Sequence, residues 1–122
     1  MTFYSKYRSP EEFAGKDLNE KIDIFSFGNN VYSLMTGLWP FYENEDDIFV
    51  QGELVDGKTA FIDNRYRTRS FAEGQMVEFI ERCWRYKPED RPDIFEVVGF
   101  LRNALLEANV RDQQASRKAS NY

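Results

Sequence analysis

The side chains able to do chemistry in this 122-residue chain are few, and most are carboxylates and guanidiniums. There is no histidine and one cysteine, Cys83. Imidazole acid-base catalysis, Ser-His and Cys-His nucleophilic pairs, His-based metal sites and an internal disulfide are therefore excluded. Asp23 stands between Ile22 and the pair Ile24-Phe25. Its carboxylate must reach water, act as a helix-start charge favoured by the dipole, or accept hydrogen bonds from donors that come to it. Arg65, Arg67 and Arg69 alternate with Tyr66 and Thr68, and an extended segment would project the three guanidiniums together. A phosphate or an acidic peptide is one partner for them; charge balance inside an acidic chain is the other. The acidic run from Glu43 to Asp47 reads as a solvated helix start, and it lacks the D-x-[DN]-x-[DN]-G loop with a later Glu that calcium requires. Cys83 falls at helical spacing with Met76, Val77, Ile80 and Trp84, which makes it a small buried apolar residue rather than a nucleophile.

The elements that must hold these groups are helical. From Ile22 to Gly37, Ile24, Phe27, Val31, Leu34 and Leu38 form one stripe, while Ile22, Phe25, Tyr32 and Met35 fill much of another. A helix apolar on most sides belongs in a core. Gly28 weakens it by about 1 kcal/mol relative to Ala, a cost normally explained by close approach of another segment. Before it, Ser9 caps a short helix opened by Pro10 and broken by Gly15, and Asp17 or Asn19 can cap the long one. After it, Gly37 and Trp39-Pro40-Phe41 form a stop and a turn, and Asn44 with Asp47 marks another helix start. Ser70 with Glu73 is a capping box, and Asp93 with Glu96 caps a last helix whose Ile94, Val97, Val98, Leu101 and Leu105 face the core. From Ala108 the apolar pattern stops, so residues 109–122 read as a disordered tail. Within it Arg117-Lys-Ala-Ser120 resembles a basic-directed phosphorylation site. The expectation is an all-α fold with no strand and no internal repeat.

Composition sets the outer limits. The apolar fraction of 42%, with 11 Phe, 7 Tyr and 2 Trp, supports a real core rather than a disordered chain. With 21 acidic against 16 basic residues the net charge is -5, which argues against nucleic acid as a partner. The central apolar helix falls short of the about 20 residues a bilayer needs, so no membrane role is expected. No secretory signal or N-x-S/T acceptor is present, and the single cysteine suits a reducing, intracellular and cytoplasmic setting.

Three motifs then carry a resemblance. Asp23-Ile-Phe-Ser-Phe-Gly28, followed by Leu34-Met-Thr-Gly37 and Pro40-Phe41, resembles the central helix of the protein kinase carboxy-terminal lobe, D-x-W-S-x-G and L-x-T-G-x-x-P-F. Tyr7-Arg-Ser-Pro-Glu11 resembles the A-P-E motif that ends the activation segment. Cys83-Trp84 with Pro88-Glu-Asp-Arg-Pro92 resembles the last kinase motif, C-W-x-x-x-P-x-x-R-P, in the form typical of the tyrosine-kinase-like branch. Two departures stand out: Phe25 replaces the family's Trp, and Asn29-Asn30 replaces a small apolar pair.

The resemblance implies a kinase carboxy-terminal lobe fragment over residues 1–108, helical and without the amino-terminal sheet. It assigns Glu11 and Arg91 to a buried structural ion pair. It makes Asp23 the anchor that accepts backbone N–H bonds from the catalytic loop, and Tyr4, Ser5, Lys6, Tyr7 and Arg8 the loop beside the protein substrate. Without the catalytic loop, apolar surface around Phe25, Phe27 and Tyr32 is expected to be exposed. The helix after the acidic run would be a docking surface. The glycine-rich cover, the V-A-I-K lysine, H-R-D and D-F-G are not found in these residues. No catalytic, cofactor or metal residue is therefore expected in this chain, although an intact kinase uses ATP and magnesium. The implied function is part of a protein kinase acting on Ser or Thr, with Tyr as a further option, inactive alone and partnered by a protein substrate or the missing amino-terminal half. The alternative is a non-catalytic helical interaction module derived from a kinase. Met1 fits a true start, an internal methionine of a truncated gene model or an exon boundary.

Overall fold

The computed structural model describes residues 8–15 and 19–120. Within them the chain forms α1 (Pro10–Ala14), α2 (Lys21–Thr36), α3 (Asp47–Val55), the single turn α4 (Arg65–Thr68), α5 (Phe71–Cys83), a 3-10 turn at Pro88–Asp90, and α6 (Ile94–Ser120). No strand occurs among the described residues, as an all-α reading requires.

Local chemistry sets the boundaries. The Ser9 N–H donates to the Glu12 carboxylate at 2.6 Å, closing the first turn of α1. Asn19 Oδ1 accepts from the Lys21 N–H at 2.8 Å at the start of α2. That helix ends at Gly37, whose left-handed backbone (φ 75°) lets its N–H reach the Ser33 carbonyl at 2.9 Å. Asp46 caps α3 by accepting from the N–H groups of Ile48 and Phe49, while Asn44 supports Asp46 from before it. Ser70 accepts the Glu73 N–H to start α5, and Asp93 with Glu96 exchange reciprocal bonds to start α6.

Helix α2 packs along α5, and α6 packs on α5 as well, with Val97 joining Ile24, Phe79 and Cys83 in one buried cluster. Gly28 is what allows the close crossing. A Cβ there would lie 2.7 Å from Cys83 Cβ and 3.2 Å from Trp84 Cδ1. Trp84 fills the space that remains, with its ring centroid 5.5 Å from that of Tyr32 and 6.4 Å from that of Phe25. Its indole N–H donates to the buried Asn29 side chain at 2.8 Å. The polar residue at 29 thus satisfies the one donor that the indole carries into the core. The Tyr32 hydroxyl donates to the Phe61 carbonyl at 3.1 Å and ties α2 to the loop after α3.

Three expectations need correction. Helix α2 is not covered on nearly every side: Phe25 and Tyr32 are buried, but Phe27 is 40% exposed and Leu34 86% exposed. The exposed patch is therefore Phe27 with Leu34 and Leu38, not Phe25 and Tyr32. On α6 likewise, Val97 and Ala104 are buried while Ile94, Val98 and Leu105 are open, so the core face is rotated from the expected one. The segment 109–120, read as a disordered tail, continues α6 to Ser120. Its Ala, Gln, Arg and Lys residues are good helix formers, and Arg111 anchors the extension by pairing with Glu107 at 3.0 Å and lying 4.1 Å from the Phe71 ring centre.

Candidate functional site

Among the described residues the most heavily connected group is the Arg91 guanidinium. Its side chain is fully buried and Glu11 leaves only 3% exposed, although 80 residues separate them in sequence. Nη1 donates to Glu11 Oε2 at 2.6 Å and to the Lys21 carbonyl at 3.1 Å. Nη2 donates to Glu11 Oε1 at 2.9 Å and to the Tyr86 carbonyl at 3.1 Å. Nε donates to the Arg85 carbonyl at 2.7 Å. All five guanidinium protons are therefore used, two of them in a bidentate fork that a lysine could not reproduce.

Three further contacts close the cluster. Arg91 Cζ lies 4.9 Å from the Phe25 ring centre. Lys21 Nζ donates back to the Arg91 carbonyl at 2.7 Å, so Lys21 and Arg91 each bond the other's backbone. Burial raises the Glu11 carboxyl, but hydrogen bonds from Arg91, the backbone and Ser9, together with the Arg91 charge, outweigh it and hold the group below its ordinary 4.5. The charge is retained, and α1, the start of α2 and the loop after α5 are joined at one point.

The other expected residues fall elsewhere. Asp23 is exposed in the first turn of α2. Tyr4, Ser5, Lys6 and Tyr7 lie outside the described residues, and Arg8 is exposed just before α1. Cys83 is buried, and burial pushes its thiol up to about 12, which removes any nucleophilic character near neutral pH. Arg65, Arg67 and Arg69 are not extended: they lie in and beside α4, paired with Asp63, Glu81 and Glu73 respectively. Internal charge balance is thus the outcome there. Among the described residues no group of acids and cysteine is arranged to hold a metal ion, and no helix is long and apolar enough to cross a membrane.

Sequence reasoning missed the three backbone carbonyls around Arg91, which no side-chain motif encodes. It also missed the Asn29–Trp84 bond, for which the only signal was a polar pair in an otherwise apolar helix.

Comparison with known proteins shows the family and the fold. A profile described as "Protein kinase domain" matches residues 1–100. The chain is 29% identical over 100 residues to "Serine/threonine-protein kinase 12" of Arabidopsis thaliana, covering 82% of this chain and 21% of that protein. It is 34% identical over 93 residues to "Dual specificity protein kinase pyk3" of Dictyostelium discoideum, covering 76% and 6%. The chain thus spans about a fifth or less of the length of these relatives. Among solved structures, the "Twitchin kinase region from C.elegans" superposes with a TM-score of 0.68 at 23% identity, over 81% of this chain and 17% of that one. With its motifs in order, Glu11 and Arg91 paired across 80 residues, and a profile match over most of its length, the chain belongs to the protein kinase domain family.

Proposed function

We propose that this chain is the substrate-side helical scaffold of a serine/threonine protein kinase of the tyrosine-kinase-like branch, and that it transfers no phosphate by itself. The observation that carries this reading is the buried Glu11–Arg91 pair with all five guanidinium donors satisfied. It joins the end of the segment that would flank a protein substrate to the helical core, so that movement of one is resisted by the other. In this reading Asp23, exposed at the start of α2, is placed to accept N–H bonds from a catalytic loop supplied by residues not present here. The open apolar strip of Phe27 and Leu34 is the surface on which such residues would pack. The names of the relatives, serine/threonine and dual-specificity kinases, support hydroxyl groups of proteins as the acceptors. ATP and magnesium would be bound by the remainder of an intact kinase.

The test is phosphate transfer from radiolabelled ATP to a mixed peptide library. The 122-residue chain should incorporate none above background, while the same chain joined to a kinase amino-terminal half carrying H-R-D and D-F-G should be active. Transfer by the chain alone would contradict the reading.

A non-catalytic module is the second reading, favoured by Ile48 and Phe49, which are exposed beside the carboxylates of Glu45 and Asp46. It predicts that the chain joined to the kinase amino-terminal half still transfers no phosphate, and that partner binding is lost when Ile48 is changed to Ser.

A further inference from the structure

Two serines in the chain follow an arginine at the third preceding position, Ser70 after Arg67 and Ser120 after Arg117. The structure treats them differently. Ser70 is committed to the start of α5: its hydroxyl accepts the Glu73 N–H at 3.2 Å and donates to the Glu73 carboxylate at 3.0 Å. The arginines before it are committed as well, Arg67 to Glu81 and Arg69 to Glu73. A docking enzyme would have to break two ion pairs and a helix cap to use that serine.

Ser120 lies in α6, and every residue from 109 to 120 is exposed. Among the described residues neither Arg117 nor Lys118 enters an ion pair. The Ser120 hydroxyl donates to the Ser116 carbonyl at 3.0 Å, a back-bond to the preceding turn that is weakly unfavourable to a helix. An exposed turn held in this way opens at little free-energy cost, which lets the serine take the extended form an active site needs. Ser116, equally exposed on the same turn, has Gln113 and Gln114 where Ser120 has Arg117 and Lys118. The basic pair precedes Ser120 and follows Ser116, so an enzyme that reads upstream arginine separates the two serines.

We propose that Ser120 is a phosphoacceptor for a separate, arginine-directed serine kinase, selected by Arg117 and Lys118. The Ser120 Oγ attacks the γ-phosphorus of magnesium-bound ATP, an Oγ–P bond forms, and the bond from that phosphorus to the bridging oxygen breaks. ADP leaves, and the hydroxyl proton passes to a carboxylate base of the modifying enzyme. Residues 111–120 hold three basic side chains and one acidic one. The about -1.5 to -2 charge of a phosphate cancels most of that excess and converts a cationic stretch of the helix into a near-neutral one.

The 122-residue chain would be incubated with a purified arginine-directed serine kinase and magnesium ATP, and the product read by intact mass and fragment-ion mapping. One phosphate on Ser120 is expected, absent in Ser120→Ala, unchanged in Ser70→Ala, and formed about tenfold or more slowly in the double variant Arg117→Gln, Lys118→Gln. Phosphate on Ser70 or Ser116 in place of Ser120, no incorporation, or an unchanged rate in the double variant would each overturn the proposal.

Discussion

Two sets of arginines in this molecule make the same kind of bond and do different things. Arg91 is buried against Glu11 with every donor used, whereas Arg65, Arg67 and Arg69 pair with acids on the surface around α4. The surface pairs are screened by water and salt, and the entropy of holding two long side chains offsets most of their attraction. The buried pair cannot be screened, and its removal leaves the surviving charge among groups that cannot solvate it. Position, rather than the number of ion pairs, decides which arginine holds the fold together.

Changing Arg91 to Ala should have the largest effect. About 3 to 5 kcal/mol of stability should be lost in urea unfolding, much of the about 5 to 15 kcal/mol a domain normally has. If Arg91→Ala instead behaves like Arg65→Ala, the distinction between the two sets fails. Next in size, Gly28→Ala should destabilise by about 1 to 3 kcal/mol, because the new methyl meets Cys83 and Trp84 at the α2–α5 crossing. Improved helix propensity, about 1 kcal/mol, offsets only part of this. A more stable variant would show that the crossing is looser than drawn.

Acid titration sharpens the contrast. The Glu11 carboxyl is depressed in the folded state, so its contribution is present above the unfolded value of 4.5 and is lost as pH falls through the lower folded value. Asp63, held down to about 2 by its hydrogen bonds with Arg65, has the same sign. It is partly exposed, so its share should fade in high salt while that of Glu11 persists. The stability of the parent chain should therefore drop below about pH 4.5 even in high salt, and Glu11→Gln should flatten that limb. The smallest effect is expected of Arg69→Ala, whose unfolding midpoint should remain close to that of the parent.

How much of this was legible beforehand depended on the kind of signal. Side-chain motifs worked well: the caps at Ser70 and Asp93, the stop at Gly37 and the close approach at Gly28 all follow from residue chemistry that acts within a turn or at one contact. The partnership of Glu11 and Arg91 came only from family resemblance, since nothing in the spacing of residues 80 apart predicts contact. Periodicity failed in a specific way. It groups residues on a face but does not say whether another element covers that face, so Leu34 and Ile94 looked like core and are open. Loss of the apolar stripe after Ala108 suggested disorder. Yet α6 needs only local propensity, the Glu107–Arg111 pair and the stacking of Arg111 on Phe71 to continue.

The most direct test of the central claim is a double-mutant cycle on Glu11→Gln and Arg91→Met, followed by urea unfolding. Each single change strands a buried partner, so the account predicts that the two losses together exceed the loss in the double variant by about 2 to 3 kcal/mol. Strictly additive losses would contradict it, because they would mean that the two residues contribute independently and that nothing ties α1 to the core through this bond.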